Sequence, residues 1–181
     1  MTTVTLRDPA VMPDRSPSVN QRSHALADRL EQGARALIAF ASGLTEEEWR
    51  MRTPKDGRTV GVIVHHVASV YPLEIQLAQT VAAGNAISGV TMADVDEMNG
   101  RHSAENAAIT KAAAIAALEA NSAVAAAAIR ELSDEQLAQA APVSLYADAP
   151  VTCQFVLEDH AVRHSYHHLA RLRRAVAPLS V

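Results

Sequence analysis

Apolar side chains recur every three or four residues along most of the chain, the repeat that lines one face of an α-helix. Leu26, Leu30, Ala34, Leu37, Ile38 and Ala41 follow it between Val19 and Ser42, predicting a first long helix. Thr45 and Glu48 then form a capping-box pattern for a short helical turn, whose Trp49 is suited to plug the end of a bundle. After a break at Pro54, Asp56 and Gly57, a second helix is predicted from Thr59, its N-cap, to Ala83, kinked at Pro72 and stopped by Gly84-Asn85. Gly84 to Gly100 reads as a loop or irregular lead-in holding a short helix over Met92 to Asn99. The third helix, from about Ser103 to Leu132, offers Ser103 and Asn106 as caps and is rich in alanine, with Ile109, Ile115, Leu118, Val124, Ile129 and Leu132 as anchors. Ser133 to Gln136 starts another turn, Pro142 to Pro150 reads as a linker, and a fourth helix runs from about Val151 to Val176. No segment alternates with period two. The pattern predicts an all-α four-helix bundle with short extra helical turns in its connections.

Composition sharpens this picture. A chain of 181 residues, 49% hydrophobic, has the size of one domain, expected over residues 18–178. The first 17 or so residues, with Pro9, Pro13 and Pro17 among polar neighbours, are expected to be a flexible arm. A net charge of −4 gives no broad basic surface for nucleic acid. The single cysteine, Cys153, excludes an intrachain disulfide and fits a reducing compartment. No run approaches the 18 apolar residues of a membrane span, and the N-terminus lacks a signal-peptide pattern. A cytoplasmic protein without a membrane partner is therefore expected.

The chemistry concentrates in histidines. His160, His164, His167 and His168 fall on the fourth helix, and His65-His66 on the second. At about 100° per residue, His66 shares the stripe of Val62, Ile63, Val70, Leu73, Leu77 and Val81, while His65 lies about a quarter-turn away. On the fourth helix the apolar arc holds Phe155, Leu157, Ala161, Val162, Tyr166, Leu169, Leu172 and Val176. His168 falls inside that arc and His164 at its edge, whereas His160 and His167 fall with the arginines. His66, His164 and His168 are thus the candidate metal ligands, with the pair His160 and His164 as a rival and hydrogen-bonded core histidines as the plain alternative. Neutral imidazoles suit zinc, nickel, copper or iron, and three of them leave a position for water or substrate. Glu74 and Glu158 are either acceptors for an imidazole, or a general base, or ordinary helix carboxylates. Cys153 lies about 16 Å along the helix from His164, too far to share an ion, and reads as a small apolar residue. His24 and His102 read as surface residues.

Thr59-Val-Gly61 followed at five residues by His66, together with His164-Ser-Tyr-His167-His168-Leu-Ala-Arg171, resembles the DinB/YfiT-like family. Leu44 to Trp49 and Asp96 to Asn99 are similar as well, and the resemblance spans Val19 to Ala177. It implies a four-helix bundle, often a homodimer, with His66, His164 and His168 holding a divalent metal ion: zinc or nickel foremost, then manganese or iron. It also implies, from thiol-dependent members, a low-molecular-weight thiol as cofactor. Arg171 stands where many members carry glutamine. The resulting expectation is a metal-dependent hydrolase or thiol-dependent transferase acting on a small molecule, with a non-catalytic, stress-related metal- or ligand-binding bundle as the alternative.

Overall fold

The structure, a computed structural model, describes residues 20–54 and 57–177. The expected arm over residues 1–17, Asp56 and Pro178 lie outside the described residues. Four long helical rods form the bundle: α1 (Gln21–Gly43), α3 (Val60–Ala82), α5 (Lys111–Arg130), and a last rod made of α7 (Cys153–Val156), a π-helical segment (Leu157–Val162) and α8 (Arg163–Val176). Short helices α2 (Glu46–Arg50), α4 (Met92–Glu105) and α6 (Asp134–Ala138) occupy the connections. α1 and α3 each pack against both α5 and the last rod. The two long helices consecutive in sequence, α1 and α3, are therefore diagonal, and α3 and α8 are neighbours.

The rods bury most of the positions their sequence repeats mark, although Val124 of α5 and Leu73 of α3, expected on the buried faces, are exposed. Leu26, Leu30 and Leu37 of α1 meet Ile63, Val64 and Tyr71 of α3, Leu118 and Ile129 of α5, and Leu157 and Leu172 of the last rod in one core. α3 is buried on most of its circumference because it lies between two neighbours and is crossed by α4. By length and hydropathy α3 and α5 could each cross a bilayer, but 67% of the most apolar window of α3 is consumed by the bundle interior, against 33% for α5. α3 runs unbroken through Pro72. Proline has no N–H for the carbonyl of Ala68, four residues back, and the Asn121 side-chain amide of α5 donates to that carbonyl at 2.9 Å instead. The freed acceptor thus ties α3 to α5.

The caps of α2 and α3 are the predicted ones, Thr45 with Glu48 and Thr59, and the turn expected at Ser133 to Gln136 is α6, opened by a Ser133/Gln136 capping box. The start of the third long helix differs. α4 opens at a Thr91/Asp94 capping box and extends to Glu105, so Ser103 lies inside it and Asn106 ends it. Thr110 caps α5, accepting from the Ala113 N–H. High helix propensity on both sides of residues 106–110 hides this break from a sequence reading. The expected linker is also structured. β1 (Ala140–Val143) and β2 (Ala149–Thr152) form an antiparallel hairpin, with Pro142 opposite Pro150 and a 3-10 turn, Ser144–Tyr146, between the strands. Two prolines can face each other only at a non-hydrogen-bonded pair, where neither lacks a donor it needs. The hairpin is held by Ile87, whose N–H donates to Pro142 and whose carbonyl accepts from Ser144.

Trp49 closes one end of the bundle. Its indole N–H donates to the Ile109 carbonyl at 3.0 Å, and its ring lies over Gly61 so closely that an added Cβ would sit 2.5 Å from it. Gly61→Ala is therefore expected to lower stability by about 1–3 kcal/mol despite the better helix propensity of alanine. Gly100→Ala in α4, where an added Cβ meets nothing within 4 Å, is expected to raise it by about 0.4–1 kcal/mol. Denaturant midpoints of the two variants check the pair; a gain for Gly61→Ala would contradict the packing of Trp49.

Candidate metal centre

The site is assembled where α3 and α8 run side by side. His66, two turns into α3, and His168, on α8, are each 6% exposed, and His164 is half-buried. One ring nitrogen from each of the three lies within 4.8 Å of the others. The Nε2 atoms of His66 and His164 are 3.2 Å apart. A tetrahedral ion with nitrogens at about 2.0–2.1 Å requires ligand atoms about 3.4 Å apart, so small side-chain rotations suffice to seat one.

The surroundings orient these rings. His164 Nδ1 lies 2.5 Å from Glu74 Oε1, and the carboxylate, itself only 5% exposed, accepts the ring proton. A neutral His164 then carries its lone pair on Nε2, the atom that faces His66. Beside this contact Tyr71 Oη and Ser165 Oγ share a buried hydrogen bond of 2.6 Å, a second polar tie between α3 and α8. His168 Nδ1 and Glu74 Oε2 are buried without a protein partner. Burial, and then the positive charge that His164, His66, His167 and Arg58 would contribute, pushes His168 down to about 2, so its ring is neutral. With its Nδ1–H on Glu74, His164 accepts at Nε2 from the His66 Nε2–H, and a divalent cation between the rings would take the place of that proton.

Other histidines fall differently from the sequence reading. His102 is not a surface residue: it lies half-buried on α4, its Nε2 3.0 Å from His65 Nδ1 and 3.2 Å from Ser69 Oγ. Ser69 gives its only proton to the His65 carbonyl, so it accepts from an imidazole. Burial lowers both His65 and His102. Together with Ser69, Asn99 and Met98, His102 borders a cavity of about 240 Å³ that reaches His66. The only sequence signal for this side of the site was the resemblance at Asp96 to Asn99, and His102 went unrecognised because α4 joins the site through tertiary packing.

The last rod departs from the α-helical wheel. The π segment spreads its residues over a wider turn than the α-helix, so the rod beyond it is out of phase with the rod before it. Phe155 and Tyr166, expected on the apolar arc, are exposed. His167 is exposed as expected, whereas His160 is half-buried with its Nε2 3.0 Å from the Tyr146 hydroxyl of the hairpin turn. Glu158 pairs with Arg29 of α1 at 2.9 Å and takes no part in the site, and burial pushes the Cys153 thiol up to about 11.

The neutral His168 has a consequence for stability in the metal-free protein. The unfolded histidine takes up a proton near pH 6.5 and the folded one only near pH 2, so the unfolded state binds more protons between these values. This contribution to stability is whole above pH 6.5 and is lost on acidification, by at most about 1.4 kcal/mol per pH unit. Urea titrations of wild type and His168→Gln between pH 8 and pH 4 are expected to show a steeper acid loss in wild type; parallel curves would contradict a buried neutral His168.

The fold has relatives. The structure is similar to that of YfiT from Bacillus subtilis, described as a probable metal-dependent hydrolase with an unusual four-helix bundle topology, with TM-score 0.68 and 20% identity over 90% of this chain and 91% of that one. It is also similar to a mycothiol-dependent maleylpyruvate isomerase, with TM-score 0.65 and 18% identity over 86% of this chain and 62% of that one. No curated protein matches in sequence. Residues 29–172 match the family model of the DinB superfamily, and the chain belongs to that superfamily.

Proposed function

We propose that His66, His164 and His168 hold a divalent metal ion and that the protein is a metal-dependent enzyme acting on a small molecule, by hydrolysis or by transfer to a low-molecular-weight thiol. The observation that carries this reading is the convergence of three imidazoles from two helices within 4.8 Å, one of them oriented by a buried carboxylate. The donor set suits zinc or nickel foremost; iron also accepts imidazole ligands, whereas manganese favours oxygen donors. A metal bound there would supply Lewis acidity and make a water or thiol in the open position more acidic. The chain's own contribution is orientation. Glu74 holds the His164 ring by its Nδ1–H, leaving Nε2 toward His66, and the buried α3–α8 seam keeps bulk water from the inner side of the triad. The descriptions of YfiT and of the thiol-dependent isomerase support, respectively, the hydrolase and the thiol branches of this reading.

Tag-free protein reconstituted with zinc, nickel or manganese is expected to carry one ion per chain by elemental analysis, and His66→Ala, His164→Ala and His168→Ala are each expected to lose it. Glu74→Gln is expected to keep the ion with affinity weakened about 10–100-fold, because it disturbs the hydrogen bond behind a ligand and leaves the ligand itself in place. A wild-type protein empty after reconstitution with all three metals would overturn the assignment. Turnover of small electrophiles with water or thiol by the loaded protein separates an enzyme from a binding protein.

A further inference from the structure

The triad has a second flank, a cavity of about 120 Å³ lined by Asp159, His160, Arg163, His164, His167 and His168. It holds two of the three candidate ligands together with His160, which is no part of the triad. The hairpin reaches this flank through Tyr146. Its hydroxyl lies 2.5 Å from Asp159 Oδ2 and 3.0 Å from His160 Nε2. Consecutive side chains of an α-helix diverge by about 100°. Asp159 and His160, neighbours in the π segment, both reach this one oxygen.

This geometry determines the protons. A phenol has one, and a carboxylate at 2.5 Å can only accept it. Burial and Asp159 both push the Tyr146 hydroxyl above its ordinary value, so it keeps that proton. Its contact with His160 must then run the other way, with His160 Nε2–H donating to the phenol oxygen. A neutral His160 in that tautomer carries a bare Nδ1. Asp159 is itself anchored by Arg163, at 3.2 Å through Nη2 and through Nε to the Asp159 carbonyl at 3.0 Å. The series is a base, an orienting hydroxyl and an anchored carboxylate, the logic by which an imidazole is prepared as a proton acceptor.

We propose that His160 is the general base of this site and Tyr146 the residue that positions it. This rests on the metal-dependent reading above. The S–H or O–H of a thiol or water in the shared cavity gives its proton to His160 Nδ1, and the bonding electron pair stays on sulfur or oxygen. The imidazolium so formed keeps its Nε2–H on Tyr146 and later releases the Nδ1 proton to solvent. Tyr146 and Asp159 exchange no proton.

Two measurements test the assignment. In metal-free ¹⁵N-labelled wild type, the imidazole resonances of His160 are expected to show a protonated Nε2 and a bare Nδ1, and Tyr146→Phe is expected to shift them to a mixture of tautomers. A protonated Nδ1 in neutral wild-type His160, or no response to Tyr146→Phe, overturns the positioning. In cobalt-substituted protein, rapid mixing with 2-mercaptoethanol is followed by the sulfur-to-cobalt absorption. His160→Ala is expected to keep its cobalt but capture the thiol on the order of 100-fold more slowly, with added imidazole restoring the rate. Capture at the wild-type rate, a deficit that imidazole leaves unrestored, or loss of cobalt on His160→Ala overturns the base assignment while leaving the metal reading intact. Failure of wild type to take up cobalt instead overturns the metal reading and this role with it, and the tautomer measurement still decides the geometry.

Discussion

The hydrogen bond between Glu74 and His164 is the constraint on which the rest of the centre depends. A carboxylate buried in an apolar seam carries a large desolvation penalty unless a donor meets it, and the donor here is a ring on another helix. Satisfying Glu74 therefore sets the relative height of α3 and α8 and the orientation of the His164 ring. Turning His164 Nδ1 toward Glu74 turns Nε2 toward His66, and one α-helical turn further His168 arrives at the same point. Tyr71 and Ser165 repeat the device beside it, a buried hydroxyl pair across the same seam.

The bundle topology makes that seam possible. Because α1 and α3 lie diagonally, α3 is flanked by α5 and by the last rod, and its apolar residues point both ways. Asn121 braces α3 from the α5 side at the carbonyl that Pro72 leaves unpaired. α3 is thus clamped along both edges near the turns that carry His66 and Glu74. Small rotations of this helix would separate the ligand nitrogens, so the bracing and the site belong to one mechanical unit.

Two additions outside the four long rods shape the flanks of the triad. α4 brings His102 and Asn99 to the His66 side, where His65 and Ser69 meet them. The hairpin brings Tyr146 to the His164 and His168 side, where the π segment presents Asp159 and His160 together. The triad belongs to the bundle core, whereas Tyr146, Asn99 and His102 beside it come from connections.

The helical periodicity, the N-caps of α2 at Thr45 and of α3 at Thr59, and the inward direction of His66 and His168 were legible in the sequence, because periodicity and capping act over a few residues. The apolar period of α3 is enough to tell His66 from His65. Other features were not legible. The break before Thr110 is masked by alanine on both sides, and the hairpin carries prolines and lacks alternation, since it is held by Ile87 from a distant loop. Phe155 and Tyr166 were misjudged because a wheel assumes one angular step throughout, and the π segment changes that step. By itself the sequence determined which helices the candidate ligands His66, His164 and His168 ride on and that His66 and His168 turn inward. Only the tertiary structure decided that Glu74 meets His164 and Tyr146 meets His160, since such pairings depend on how rods separated by about 90 residues or more, or joined by an insert, are set in depth and rotation against one another.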